Sequence, residues 1–285
     1  LTEGTLYVAR FSDDGMGQWI ELTIDDPRIK AYEAYAFASQ ADVLVNTRYA
    51  ADAVGATRMD RPEWGAVNPR NGEVYFTLTN NSSKNRQVGT INAANPRAYQ
   101  DEDGNQRNGN PNGHIIRFKE LDSRATASGF EWDIFLFGAE DDMPADVNIS
   151  QLTQSNAFSA PDGVWFSPTR GILWIQTDDG AMTDETNCMV LAAIPGEVGD
   201  GGPVTIHNDF KGEQGSQNTF VGALLGQARL KRFLVGPKGS EITGLTETAD
   251  GRVLLVNIQH PGEKSKGLAD ASPLQSHWPA QSDDG

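Results

Sequence analysis

Met59-Asp60-Arg61-Pro62-Glu63-Trp64-Gly65-Ala66-Val67-Asn68-Pro69-Arg70-Asn71-Gly72-Glu73-Val74-Tyr75-Phe76-Thr77-Leu78-Thr79-Asn80-Asn81 is two kinds of sequence joined by a turn. After Asn71-Gly72, alternating β-branched, aromatic and threonine residues read as one arm of a hairpin. Before the turn, Arg61 and Glu63 stand two apart in a Pro-containing segment that reads as extended, which sends both side chains to the same side. A cation beside a carboxylate suits the joint holding of a metal and an anion. It is equally the pattern of a surface ion pair at a strand entrance, and such pairs are common and individually weak.

The template recurs. Asp162-Gly163-Val164-Trp165-Phe166 leads through Ser167 to Gly171 into Ile172-Leu173-Trp174-Ile175-Gln176-Thr177-Asp178-Asp179. Glu241-Ile242-Thr243-Gly244-Leu245 leads through Asp250-Gly251 into Val253-Leu254-Leu255-Val256-Asn257-Ile258-Gln259-His260. Each copy is a polar residue, a glycine, a short strand, a Gly-containing turn, an apolar strand and a polar end. Repeated two-strand units of this kind are the pattern of β-propeller blades. The copies lie roughly 80 to 100 residues apart, about twice a typical blade, so intervening blades around Tyr7 and Ile115 must match less well and carry insertions. The expected fold is all-β, part of a β-propeller with one inserted helix; a two-sheet sandwich is the alternative, since short strands and turns suit both. In a propeller, Glu63 and Glu241 share one template position before the inner strand, whereas Asp178 and Asp179 fall at the far end of the second strand. Carboxylates converging on an axis repel one another, and a bound cation relieves them. Otherwise each is capped by backbone amides and is structural.

Between the copies, Leu6 to Phe11 and Gln18 to Leu22 flank a Ser12-Asp13-Asp14-Gly15 turn as a hairpin. From about 35 to 54, Phe37, Ala41, Leu44, Val45 and Tyr49 recur at helical spacing, with Gly55 as the stop. Residues 82–112 read as a polar loop without apolar period. Asp101-Glu102-Asp103-Gly104-Asn105 within it lacks the helices and twelfth-position Glu of an EF-hand, and reads as solvated. Around Ile115 and Ile134 lies another strand pair. Residues 194–230 look like an insertion, and 264–285 like a polar tail. His260, at a strand end, reads as a hydrogen-bonding residue rather than a general base. His207 and His277 fall in loop-like sequence.

Composition narrows the partners. The chain has 285 residues, 38% of them apolar, enough for a substantial core. The 39 acidic against 23 basic residues leave a net charge of -16, which argues against nucleic acid and anionic membrane surfaces as partners. Cys188 is the single cysteine, so a disulfide framework and a Cys-rich zinc site within this chain are excluded. No stretch is long and apolar enough for a membrane span. The start, Leu1-Thr2-Glu3-Gly4, carries neither Met nor a targeting pattern, as expected of a chain from which a leader and more were removed, or of a piece of a longer one.

Arg58-Met59-Asp60-Arg61-Pro62-Glu63-Trp64, Asn112-Gly113-His114-Ile115, Gly171 to Asp178, Phe233 to Gly244 and Asn257 to Glu263 together resemble the C-terminal half of the PhoX family of bacterial alkaline phosphatases. The resemblance implies a six-bladed propeller with iron and several calcium ions at its axis, which hydrolyses small-molecule phosphate monoesters in the periplasm or outside the cell after twin-arginine export. Carried over residue by residue, it implies Glu63, Asp178 and Glu241 as metal ligands and Arg61 as the phosphate contact. It also implies a missing N-terminal half of the same protein, which contributes further ligands including a cysteine; Ser240 stands where relatives are expected to have cysteine. Two other readings stay open: a calcium-stabilised propeller that binds without catalysis, and a propeller lactonase or phosphotriesterase.

Overall fold

The computed structural model describes residues 3–101 and 107–263, with Ser265, Gln275, Ser276 and Trp278. Strands β1 (Tyr7–Phe11) and β2 (Met16–Glu21) pair antiparallel about the expected turn. Three short helices follow: α1 (Pro27–Lys30), α2 (Gln40–Val45) and α3 (Thr47–Val54). The one inserted helix expected over 35–54 is thus corrected to two. The Ser39 side chain accepts from the Asp42 amide and starts α2 at Gln40. Asn46 leaves helical geometry (φ -100°, ψ 41°), and its amide donates to Asp42 Oδ1 and the Tyr35 hydroxyl. Side-chain bonds of this kind compete with the helix backbone. The buried face differs too: Val43, Ala50 and Val54 pack on Leu22 and Ile29, whereas Leu44, Val45 and Tyr49 are exposed.

β3 (Pro62–Val67) and β4 (Val74–Leu78) form the hairpin of the central stretch, with Gly72 at φ +76° in its turn, where an L side chain is disfavoured. The stretch 82–112, expected as a polar loop, carries short strands. β5 (Asn81–Ser82), β6 (Tyr99–Gln100) and β7 (Asn108–Asn110) make a small sheet. Polar residues substitute for an apolar period here: the buried Asp60 carboxylate accepts from Asn81, Arg86 and Asn110, and buried Arg97 donates to three backbone carbonyls and to Asn110. Asp101 is itself buried. The rest of the acidic run, 102–105, lies outside the described residues, as do His277 and most of 264–285.

β8 (His114–Glu120) and β9 (Gly129–Phe137) complete the first sheet, in the order β1-β2-β9-β8-β4-β3. A second sheet begins with β10 (Pro161–Phe166), β11 (Leu173–Thr177) and β12 (Met189–Ala193). The chain then leaves as the long hairpin β13 (Gly202–Phe210) and β14 (Glu213–Val221) with α4 (Gly226–Arg229), and returns as β15 (Leu230–Val235) beside β12. His207 therefore sits in a strand, not a loop. A third hairpin, β16 (Glu241–Glu247) and β17 (Leu254–Gln259), follows. The class is mostly β with short helices. Tyr75, Ile115, Leu136, Val164, Ile175 and Leu191 fill the layer between the first and second sheets. Trp174, Val190 and Ile242 fill the next one, joined by Leu254 and Val256.

An ion network ties the excursion to the first sheet. Arg117, on β8, donates to both oxygens of Asp133 at 2.7 and 2.9 Å and to Asp200 at 2.6 Å. Asp133 also accepts the Gly199 amide at 2.8 Å. Arg117 and Asp133 are each 1% exposed. Removing the cation leaves a buried carboxylate uncompensated, a loss of about 3 kcal/mol or more. Arg117→Met is therefore expected to lower unfolding free energy by roughly that amount in urea titration; an unchanged midpoint would dismiss the network as a tether.

Candidate metal centre

Antiparallel pairing brings the two ends of a hairpin to one rim. Pro161, opening β10, pairs with Thr177, closing β11, and the Asp178 amide donates to the Ala160 carbonyl at 3.1 Å. Asp162 and Asp178 are thereby neighbours although 16 positions separate them in the chain. Likewise Glu241 pairs with Gln259, which places His260 beside it. The first hairpin repeats the geometry, with Pro62 opposite Leu78 and the Thr79 amide on the Arg61 carbonyl.

All three hairpins also shift register near that rim, between Pro62 and Gly65, Pro161 and Val164, and Ile242 and Gly244. Such bulges bend a strand and re-aim its side chains. Glu63 and Asp162 lie inside two of them. The buried Thr77 hydroxyl bridges the hairpins: it accepts from the Trp64 amide at 3.0 Å and donates to the Asp162 carbonyl at 2.7 Å. With β16 packed against β10 and β11, a carboxylate oxygen from each of Asp162, Asp178 and Glu241 comes within 4.8 Å of the others.

The charges report the same convergence. Partial burial, then the Glu63, Asp178 and Glu241 carboxylates, push Asp162 up to about 6, while Arg61 opposes them. Burial and the charge of Glu241 raise Asp178. Glu63 and Glu241 both press on Asp162, so both lie within electrostatic reach of it. Arg61 adopts φ +48° rather than the extended backbone that its sequence implies, yet its guanidinium still lies 3.7 Å from Glu63 and donates to Asn80 at 2.8 Å. His260 Nε2 meets Glu241 Oε1 at 2.8 Å, and that bond first of all raises the imidazole. It is a hydrogen-bonding residue, as its position at a strand end implies.

The structure therefore brings Arg61, Glu63, Asp178 and Glu241 to one rim and adds Asp162, which the sequence reading passed over. The signal was present: Asp162 begins the second template copy as Glu63 begins the first. Cys188 is buried just before β12; its sulfur accepts the Asp179 amide, and burial, with the Asp179 and Asp178 charges adding to it, pushes the thiol up to about 12. Ser240 donates to the Pro237 carbonyl at 2.7 Å. The donor set fits a cation. Three clustered carboxylates offer only oxygen, the preference of hard ions such as calcium. Next to Gly163, neither end of the buried Gln176 carboxamide is paired among the described residues, leaving further polar capacity beside the cluster.

Asp162 and Asp178 hold their protons more tightly folded than unfolded. Folding therefore takes up protons from about pH 4 to about pH 6, and stability falls as pH rises through that window. In chelator the thermal midpoint is expected to be lower at pH 7 than at pH 5, and calcium is expected to raise it more at pH 7. A calcium-independent midpoint at pH 7 would exclude cation binding by these carboxylates.

The family model for alkaline phosphatase PhoX matches residues 1–262. Among solved structures, the chain is similar to Pseudomonas fluorescens PhoX in complex with vanadate, a transition state analogue, with a TM-score of 0.68 and 32% sequence identity. That similarity takes in 99% of this chain and 43% of the other, so this chain spans less than half the length of that relative. Comparison with curated proteins gives no match. The family match over nearly the whole chain, joined to the structural likeness, settles the affiliation: this chain belongs to the PhoX family of alkaline phosphatases.

Proposed function

We propose that this chain forms blades of a β-propeller phosphatase, over residues 1–263 with the β13–β14 hairpin as an insertion, and that it hydrolyses phosphate monoesters at the rim where Arg61 faces the carboxylates. The observation that carries the reading is the convergence of Asp162, Asp178 and Glu241 beside a guanidinium. Asp162, Asp178 and Glu241, with Glu63 behind Arg61, hold the cations, calcium and iron. The oxygen-only donors in hand favour calcium, and iron calls for further ligands from the longer protein. Cations bound there supply Lewis-acid polarisation of the phosphoryl group.

The chain's own residues do the rest. Arg61 presents a planar fork to two phosphoryl oxygens and offsets charge as it builds on them. Glu63, 3.7 Å from that guanidinium, limits its swing. His260 fixes the Glu241 carboxylate through its Nε2 contact. No Ser or Cys nucleophile is required. Family membership also supports work outside the cytoplasm, and no described helix is long and apolar enough to cross a membrane.

Phosphate release from p-nitrophenyl phosphate, with calcium and iron supplied, tests this. Arg61→Ala is expected to lower kcat by about 100-fold or more, the usual loss when one charge-stabilising donor is removed. Asp162→Asn is expected to weaken calcium dependence before it alters kcat at saturating calcium. Undiminished turnover in Arg61→Ala would remove the guanidinium from the reaction.

A further inference from the structure

A cleft of about 810 Å³ opens beside Arg61, between α3 and the turn around residues 84–90. Its walls carry Arg48, Arg58, Arg61, Lys84 and Arg86 against a single acid, Asp52. In a chain where acids outnumber bases 39 to 23, this is a local reversal of sign. Three of the cations are already answered: Arg58 by Asp52 at 3.0 Å, buried Arg86 by Asp60 at 2.6 Å, and Arg61 by Glu63 at 3.7 Å. Arg48 and Lys84 are exposed, and among the described residues no ion pair engages either. They give the cleft a positive mouth that no described ion pair neutralises.

Arg61 belongs to both places. It lines the cleft, and its charge reaches Asp162 and Asp178. The basic cavity therefore adjoins the carboxylate rim through Arg61. Among the described residues no aromatic ring lines that cavity, so they offer nothing on which a nucleobase would stack. What it offers is charge: a guanidinium fork and an ammonium, both suited to phosphate oxygens.

We propose that this cleft is a leaving-group subsite for a second phosphate, which makes small organic bisphosphates the preferred substrates. The proposal rests on the phosphatase reading of the adjoining rim. In the step, a water oxygen bonds to phosphorus at the rim and the P–O ester bond breaks. The departing alkoxide takes up a proton. The second phosphate, held by Arg48 and Lys84, leaves intact on the alcohol product, beside inorganic phosphate.

Glucose 1,6-bisphosphate and glucose 1-phosphate, compared on the purified protein with its cations, test it. The bisphosphate is expected to have a kcat/KM about tenfold higher, through KM, as two exposed charge-assisted contacts would give. In the Arg48→Gln/Lys84→Gln double variant that ratio is expected to fall to about one, whereas Arg124→Gln, an exposed charge on another face, keeps it. No preference in the wild type, or a preference that survives the double variant, overturns the subsite. Should neither ester be hydrolysed, the phosphatase reading fails separately, and calorimetric binding of glucose 1,6-bisphosphate decides the subsite. Binding weakened about tenfold in the double variant upholds it, and equal binding in both proteins overturns it.

Discussion

Antiparallel pairing is the constraint on which the site depends. A hairpin returns its second strand to where the first began, so the residue that opens β10 and the residue that follows β11 must share a rim. Three such hairpins standing side by side place three openings and three endings on one edge of the molecule. Packing then fixes their separation: Tyr75, Val164 and Ile175 close the layer between the first two sheets, and Trp174 with Ile242 the next. Interiors this dense shift little, so carboxylates on different strands are held as near neighbours by apolar contacts remote from them. The bulges add the local correction, turning Glu63 and Asp162 where a regular strand would have carried them past.

The arrangement costs stability before it serves anything. Burial first, and then the neighbouring carboxylates, disfavour ionisation there, and together they raise Asp162 to about 6. The composition repeats it on the larger scale, with a net charge of -16. A fold that keeps acids together against their repulsion needs either protons or cations there. At neutral pH protons are scarce, so cations are the physical complement. The charge of Arg61 reaches both Asp162 and Asp178, and a single guanidinium cannot balance four carboxylates.

Much of this was legible in the residues, and the failures have physical reasons. Asn71-Gly72 announced its turn, and the three template copies did become the hairpins β3–β4, β10–β11 and β16–β17. Glu63 and Glu241 stood out because they precede a strand. Asp162 was hidden beside the conspicuous Asp178-Asp179 pair, and only the antiparallel register equates the start of one strand with the end of the next. The helix was misjudged because Ser39 and Asn46 set its limits by side-chain hydrogen bonds, which hydrophobic spacing does not record. The stretch 82–112 was misread for a related reason. Its interior joins amides, guanidinia and the Asp60 and Asp101 carboxylates to a small apolar cluster around Val88 and Ala98, so the absence of an apolar period was no sign of a plain polar loop.

That polar core explains how Arg61 holds its backbone. A non-glycine residue at φ +48° is strained and persists only where its surroundings over-determine it. On one side Asp60 is fixed, its amide on Asn95 and its carboxylate on Asn81, Arg86 and Asn110. On the other, Pro62 fixes its own φ, and the Thr79 amide holds the Arg61 carbonyl. Arg61 is thus clamped between a buried network and the first residue of β3, while its side chain stays about half exposed. Asp60 and Arg86 neutralise each other in the wall below, so their charges leave the guanidinium free to act. A regular strand at this point would carry Arg61 along the rim in step with its neighbours; the left-handed turn sets it between the carboxylates and the basic cleft.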